Sequence, residues 1–154
     1  MFGLLRLLQD FPRLLEIAYS STRRVLWPFR RWLQSGGRIE RLFVRAEAIS
    51  KGAIFDCRMC GQCVLHSTGM TCPMNCPKNL RNGPCGGVRA NGHCEIIPDM
   101  PCVWAQAWTR SQALSTYRQG MIHILPPLNR SLEGTSAWIN DFTGVAQRAP
   151  DGWQ

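Results

Sequence analysis

Outside residues 57–102 the chain has no cysteine, and nowhere does it hold the ~20 uninterrupted apolar residues that a membrane-crossing helix requires. It also lacks the outline of a signal peptide. The apolar run from Met1 to Leu8 is interrupted by Arg6, Asp10, Pro12 and Arg13 follow at once, and no small-residue cleavage site comes after them. These absences predict a soluble, cytoplasmic chain with reduced thiols, which reads its cysteines as metal ligands or catalytic groups ahead of four disulfides. There is no Gly-rich phosphate loop after a strand and no pair of carboxylates placed for acid–base work, so nucleotide binding and general acid–base catalysis find no support. At 154 residues the chain is also too short for an eight-stranded α/β barrel, which needs about 250.

What is present divides unevenly. The net charge of +8 is almost wholly arginine. Residues 1–50 carry nine Arg against Asp10, Glu16, Glu40 and Glu47, a balance of +5. This N-terminal third reads as a helical arm: Leu4, Leu8, Phe11, Leu15 and Ala18 recur every three or four residues, with Leu7 and Leu14 beside them. Pro12 either kinks that helix or, with Asp10 as its cap, starts a new one. From Arg23 to Leu33 arginines interleave with Trp27, Phe29 and Trp32 until Gly36 and Gly37 end the segment. Three occupants suit the arm: a partner subunit or the chain's own core, an anionic membrane surface, and nucleic acid. The last is disfavoured, because arginine density comes without a DNA- or RNA-binding motif.

The middle, residues 51–102, holds Cys57, Cys60, Cys63, Cys72, Cys76, Cys85, Cys94 and Cys102 among many Gly, Pro and Asn residues, so metal bonds are expected to supply folding energy that apolar burial does not. Zinc ribbons use two separate C-x2-C pairs. Here Cys57, Cys60 and Cys63 overlap as C-x2-C-x2-C, a run that lets one tight loop reach three irons of a cubane while the fourth thiolate arrives from farther along, as in bacterial ferredoxins. Cys72-Pro73 and Cys76-Pro77 repeat the Cys-Pro step of that run, and Gly61, Gly83, Gly86 and Gly87 free backbone N–H groups to approach sulfur. Eight thiolates make two 4Fe-4S clusters. Cys57, Cys60 and Cys63 are expected on one, most of the other five on the second, and one of the five crossing back. Two zinc ions, or one zinc and one cluster, are the alternatives. His66 and His93 adjoin the cysteines, as replacement ligands or as hydrogen-bonding neighbours. A nucleophilic Cys63 served by His66 is a further reading, but it lacks the βαβ setting of a redox motif.

The run from Asp56 to Cys63, the run from Thr68 through Cys72-Pro73-Met74-Asn75-Cys76-Pro77 to Lys78, and Asn82-Gly83-Pro84-Cys85-Gly86-Gly87 together resemble the methylene-tetrahydrofolate reductase C-terminal domain family. The likeness continues through Asn91-Gly92, Cys94-Glu95 and the run from Pro98 to Trp104, with a fainter echo at Pro126-Pro127-Leu128 and between Gly134 and Trp138, so it spans roughly residues 54–140. It implies a cysteine-rich, non-catalytic subunit that binds a separate barrel-shaped reductase. In such a complex flavin and folate belong to the barrel, and the small subunit relays electrons between a donor protein and the partner's flavin. If its metals are zinc, it is instead a structural clamp. Nothing is carried over to the arm.

Residues 103–154 are expected to form a helix and an irregular tail packed on the metal segment or on the partner. Asp99 caps the helix with Pro101 in its first turn, Val103, Trp104, Ala107, Trp108 and Leu114 line its inner side, and Cys102 ligates from its N-terminus, where the dipole favours a thiolate. The fold class expected is therefore a small α-plus-irregular metal-binding domain: helical arm, Cys-rich loops, C-terminal helix, and little or no sheet.

Overall fold

Pro12 decides how the arm begins. A 3-10 turn over Leu7–Asp10 stops at Phe11, and Pro12 then occupies the first position of a new helix, α1 (Pro12–Leu26), where its missing N–H costs nothing. Asp10 does not cap it: Phe11 stands at the N-cap with no side-chain bond, while the Asp10 carboxylate pairs with Arg110 at 3.5 Å. The computed structural model describes residues 5–33, 37–150 and 152; Leu4 of the expected stripe and Gly36 of the expected stop lie outside the described residues. Because the 3-10 turn breaks the helical register, the stripe is not continuous. Leu15 is buried and Leu8 half-buried, but Phe11, Leu14 and Ala18 face outward, and the inner side of α1 is made by Leu15, Glu16 and Tyr19.

A 3-10 turn at Trp27–Phe29 leads into the single turn α2 (Arg30–Leu33), and α3 (Arg38–Phe55) follows. Near its end α3 buries Glu47, Lys51 and Ala53. Cysteine-bearing loops and short 3-10 turns fill the stretch to Cys102, which is the N-cap of α4 (Val103–Ser111). Asp99 therefore does not cap that helix either. Trp104 and Ala107 point inward as expected, but Trp108 is 58 % exposed; at about 100° per residue it falls beyond the inner arc spanned by Val103, Trp104, Ala107 and Ser111. A last helix, α5 (Ala137–Thr143), opens on Ser136, whose Oγ accepts the Ile139 N–H at 3.2 Å, and closes on Gly144 at φ 74°.

Sheet is almost absent among the described residues, with isolated bridges pairing Val88 with Cys94 and His93 with Pro101. No described helix is long and apolar enough to cross a membrane. Two small apolar clusters hold the chain together, one around Leu15, Leu65, Met70 and Leu114, the other around Cys76, Cys102, Trp104 and Ala107. Cys63 and Cys72 pack against the first, so sulfur belongs to both.

One buried carboxylate fastens α1 to the chain beyond α4. Glu16, only 4 % exposed, accepts backbone N–H groups from Ser115, Thr116 and Tyr117 at 2.8, 2.7 and 2.9 Å. Burial pushes this carboxyl's pKa up, but the three donors and Arg13 outweigh it and hold it below its ordinary value. A lowered folded pKa stabilises at pH above the unfolded value, and that contribution disappears as pH falls through the folded one. Glu16→Gln keeps one acceptor and turns an NH2 toward backbone donors. It is expected to cost about 2 kcal/mol at neutral pH, with the gap to wild type closing as acid protonates Glu16; thermal unfolding between neutral and acidic pH measures both.

Candidate metal centre

The end of α3 sets up the first cysteine loop. Asp56 ends the helix in the left-handed region at φ 53°, and the chain turns twice more through positive φ, at Met59 (48°) and Gly61 (72°). These turns bring backbone N–H groups onto sulfur: Met59 N–H reaches Cys57 Sγ at 3.4 Å, and Gln62 N–H donates to Cys60. The i to i+2 relation recurs where Met74 N–H donates to Cys72 and Gly87 N–H to Cys85 Sγ at 3.4 Å. Four of the eight sulfurs thus sit in the same N–H cradle, the arrangement that stabilises thiolates and bridging sulfur in metal clusters.

Cys57, Cys60, Cys63 and Cys72 line one recess. Phe55, Met74, Leu65 and Ala137 give it apolar walls, and Lys51 and Arg81 add two cations. Both cations are buried. Lys51 has a carboxylate: its Nζ meets Glu47 Oε1 at 2.6 Å, while Glu47 Oε2 accepts Ser136 Oγ–H at 2.6 Å. Burial pulls the Lys51 pKa down, but Cys63, Glu47 and Cys57 more than reverse this, leaving the ammonium firmly charged. Arg81 has no carboxylate partner among the described residues. Its Nε donates to Pro126 O at 2.9 Å and its Nη1 to Gln62 O at 3.1 Å, and burial, opposed by Cys60 and Cys63, lowers its pKa.

A buried guanidinium bonded only to carbonyls is costly unless a negative charge faces it. Burial pushes Cys57 and Cys60 up and Cys72 up to about 12, so these three thiols hold their protons at neutral pH and offer the guanidinium no charge. Metal displaces such protons. The recess is therefore electrostatically complete when an anionic thiolate–metal group fills it.

Among the described residues no three His, Cys, Asp or Glu side chains converge closely enough to hold a single metal ion. Tetrahedral zinc needs four sulfurs about 2.3 Å from one point. A cubane gives each thiolate its own iron, so its four ligands surround a larger space. Four thiols line one recess, with backbone N–H donors on Cys57, Cys60 and Cys72 and two buried cations beside them, a set compatible with a thiolate-bound metal group.

The chain beyond Pro126 clasps this loop. Gln62, fully buried, donates from Nε2 to Ala146 O at 2.9 Å and accepts Asn129 N–H at 2.6 Å. Asn140 Nδ2 donates to Gly61 O at 2.8 Å, and Gly134 N–H to Met59 O at 2.8 Å. A Cβ on Gly61 would stand 2.2 Å from Leu132 O. Gly61→Ala combines that clash with a strained positive φ and is expected to cost about 3 kcal/mol. It should also loosen metal at the first site, read by thermal unfolding and by metal content after gel filtration.

Cys76, Cys85, Cys94 and Cys102 lie outside the recess. Cys76 and Cys102 are buried against Trp104, and Cys94 and Cys102 are fixed by backbone bonds, Cys94 N–H to Met100 O and Cys102 N–H to Gly92 O, both 2.9 Å. Cys85 is exposed. Cys85 and Cys94 both raise the pKa of Lys78, behind its first cause, the hydrogen bond to Glu95. The two histidines have other partners. His66 Nδ1 lies 3.2 Å from Tyr19 Oη and its ring stacks on Tyr19, while His93 Nδ1 is 2.8 Å from Pro98 O. Burial lowers the His66 pKa, and it does not line the cysteine recess.

Sequence reading missed Glu47, Lys51, Gln62, Arg81 and Asn140. Only Lys51 carried a signal, the i,i+4 spacing from Glu47 that pairs charges on one helix face. The others act across long separations that no local pattern records. A family model described as methylene-tetrahydrofolate reductase C terminal matches residues 37–131, beginning at α3 and stopping short of α5. No curated protein and no solved structure matches.

Proposed function

Because this chain belongs to the methylene-tetrahydrofolate reductase C-terminal family, we propose that it is the iron–sulfur accessory subunit of such a reductase, beside a separate barrel subunit that binds flavin and folate. Cys57, Cys60, Cys63 and Cys72 hold one 4Fe-4S cluster, and Cys76, Cys85, Cys94 and Cys102 a second. When bound, the clusters supply one-electron oxidation and reduction, which suits a relay between a donor protein and the partner's flavin. Cys72 is then the residue that crosses back to complete the first set.

The carrying observation is the recess where those four thiols meet two buried cations, one of them, Arg81, without a carboxylate. The residues of this chain bind the cluster by sulfur, orient it through backbone N–H groups, shield it with apolar walls, and balance its charge. Iron, acid-labile sulfide and zinc measured on anaerobically purified protein test this. Close to eight irons per chain, with a brown colour and an electron paramagnetic resonance signal on reduction, is the expected result. A colourless protein holding two zinc ions would replace the relay with a structural clamp.

A further inference from the structure

α1 is apolar on two sides. Leu15, Tyr19 and Leu26 face the rest of the molecule, and about 120° round the helix, at about 100° per residue, Leu14, Ile17, Ala18 and Val25 form a second stripe. Leu14 is 54 % exposed and Ile17 and Val25 are 63 % exposed. Phe11 at the start of the helix and Trp27, Phe29 and Trp32 just past its end are also exposed, the Trp27 ring meeting Phe142 of α5 edge-on at 5.6 Å. A helix that buries one face has no use for a second unless something covers it.

Charge says what covers it. Three of the arm's acids have partners: Asp10 pairs with Arg110 at the surface, Glu16 accepts backbone N–H groups, and Glu47 meets Lys51 and Ser136. Arg24 and Arg31 have no ion-pair partner among the described residues, and Arg30 lies over the Trp27 ring at 4.3 Å. Exposed aliphatics with Trp and Phe, bordered by unpaired arginines, are the composition of a helix lying in the headgroup region of an anionic bilayer. α1 and α2 precede residue 37, where the family match begins, so their outer face is additional to what the family's common region does.

We propose that α1 and α2 anchor this protein peripherally to an anionic membrane, with Leu14, Ile17, Val25 and the exposed aromatics in the interface and Arg24 and Arg31 on lipid phosphates. The proposal is independent of which metal the cysteines hold. Its test is flotation of the full, metal-loaded chain with phosphatidylcholine vesicles prepared with and without phosphatidylglycerol. Wild type is expected to float with the anionic vesicles and to be released by salt. Ile17→Glu/Val25→Glu, whose side chains leave the core untouched, should lower partitioning at least roughly tenfold. Arg24→Gln/Arg31→Gln should lower it by roughly fivefold per arginine on anionic vesicles, with little change on neutral ones. Unchanged metal content and thermal unfolding verify that each variant folds. Wild type that stays off both vesicles, or an Ile17→Glu/Val25→Glu chain that floats like wild type, overturns the proposal. Self-association that only those glutamates abolish, without vesicle binding, would assign the face to a protein interface instead.

Discussion

Cys72→Ser is expected to cost the protein about half its iron, the share of one cluster in two, and more than about 10 °C of thermal stability. Cys72 is the one thiol lining this recess from outside the Cys57–Cys63 loop, and its segment packs under α3 through Asn75 Nδ2, which donates to Phe55 O at 2.9 Å. A metal bond at Cys72 would add to that hydrogen bond a second tie between this segment and the first cysteine loop. Serine is nearly isosteric, but its hydroxyl does not ionise to a soft ligand, so the effect reports the bond and not the packing. Burial already pushes the Cys72 thiol up to about 12, and metal is what removes its proton. Iron and sulfide analysis with parallel thermal scans measures both losses, and Cys85→Ser, at an exposed position outside the recess, is the contrast that should leave the first site's iron in place. Full iron in Cys72→Ser would remove it from the ligand set.

How much of this was legible beforehand depends on the range of the interactions. Helix in the arm and after Cys102, scarcity of sheet, and the family could be read from local spacing and from runs of matching residues. The inner face of α1 could not, because Pro12 resets the register and makes Tyr19 and Glu16 core residues in place of Phe11 and Ala18. α5 did leave local marks, Ser136 at its N-cap and Gly144 at its C-cap, but its apolar run is short and lies in a tail that otherwise reads as irregular.

Aromatic packing across the fold was equally invisible. Tyr19 of α1 stacks on Trp138 of α5 at 4.8 Å, and the Lys51 ammonium lies 4.9 Å from the same indole. The arm, the tail and the wall of the cysteine recess thus meet at one ring. Spacing within any one segment records none of this, since the partners are separated by most of the chain.

Replacing Arg81 gives a result whose sign depends on what fills the recess. In the metal-loaded protein Arg81 faces thiolate charge and also ties Pro126 and Gln62 to its own loop. Arg81→Met, of similar length but without charge, is then expected to lose about 3–5 kcal/mol, as when one partner of a buried pair is removed. It should also lower the reduction potential, because a nearby cation favours the more negative reduced state; an interaction on the order of 1–2 kcal/mol corresponds to roughly 40–90 mV for one electron. In metal-free protein with protonated thiols the guanidinium is an uncompensated buried charge, and the same substitution should be neutral or stabilising once its lost carbonyl bonds are offset. Thermal unfolding of both forms and a potentiometric titration of the loaded one measure the two effects. Equal stability of Arg81→Met and wild type when loaded, with an unmoved potential, would mean that no anion faces Arg81, and the electrostatic case for a thiolate cluster in this recess would fall with it.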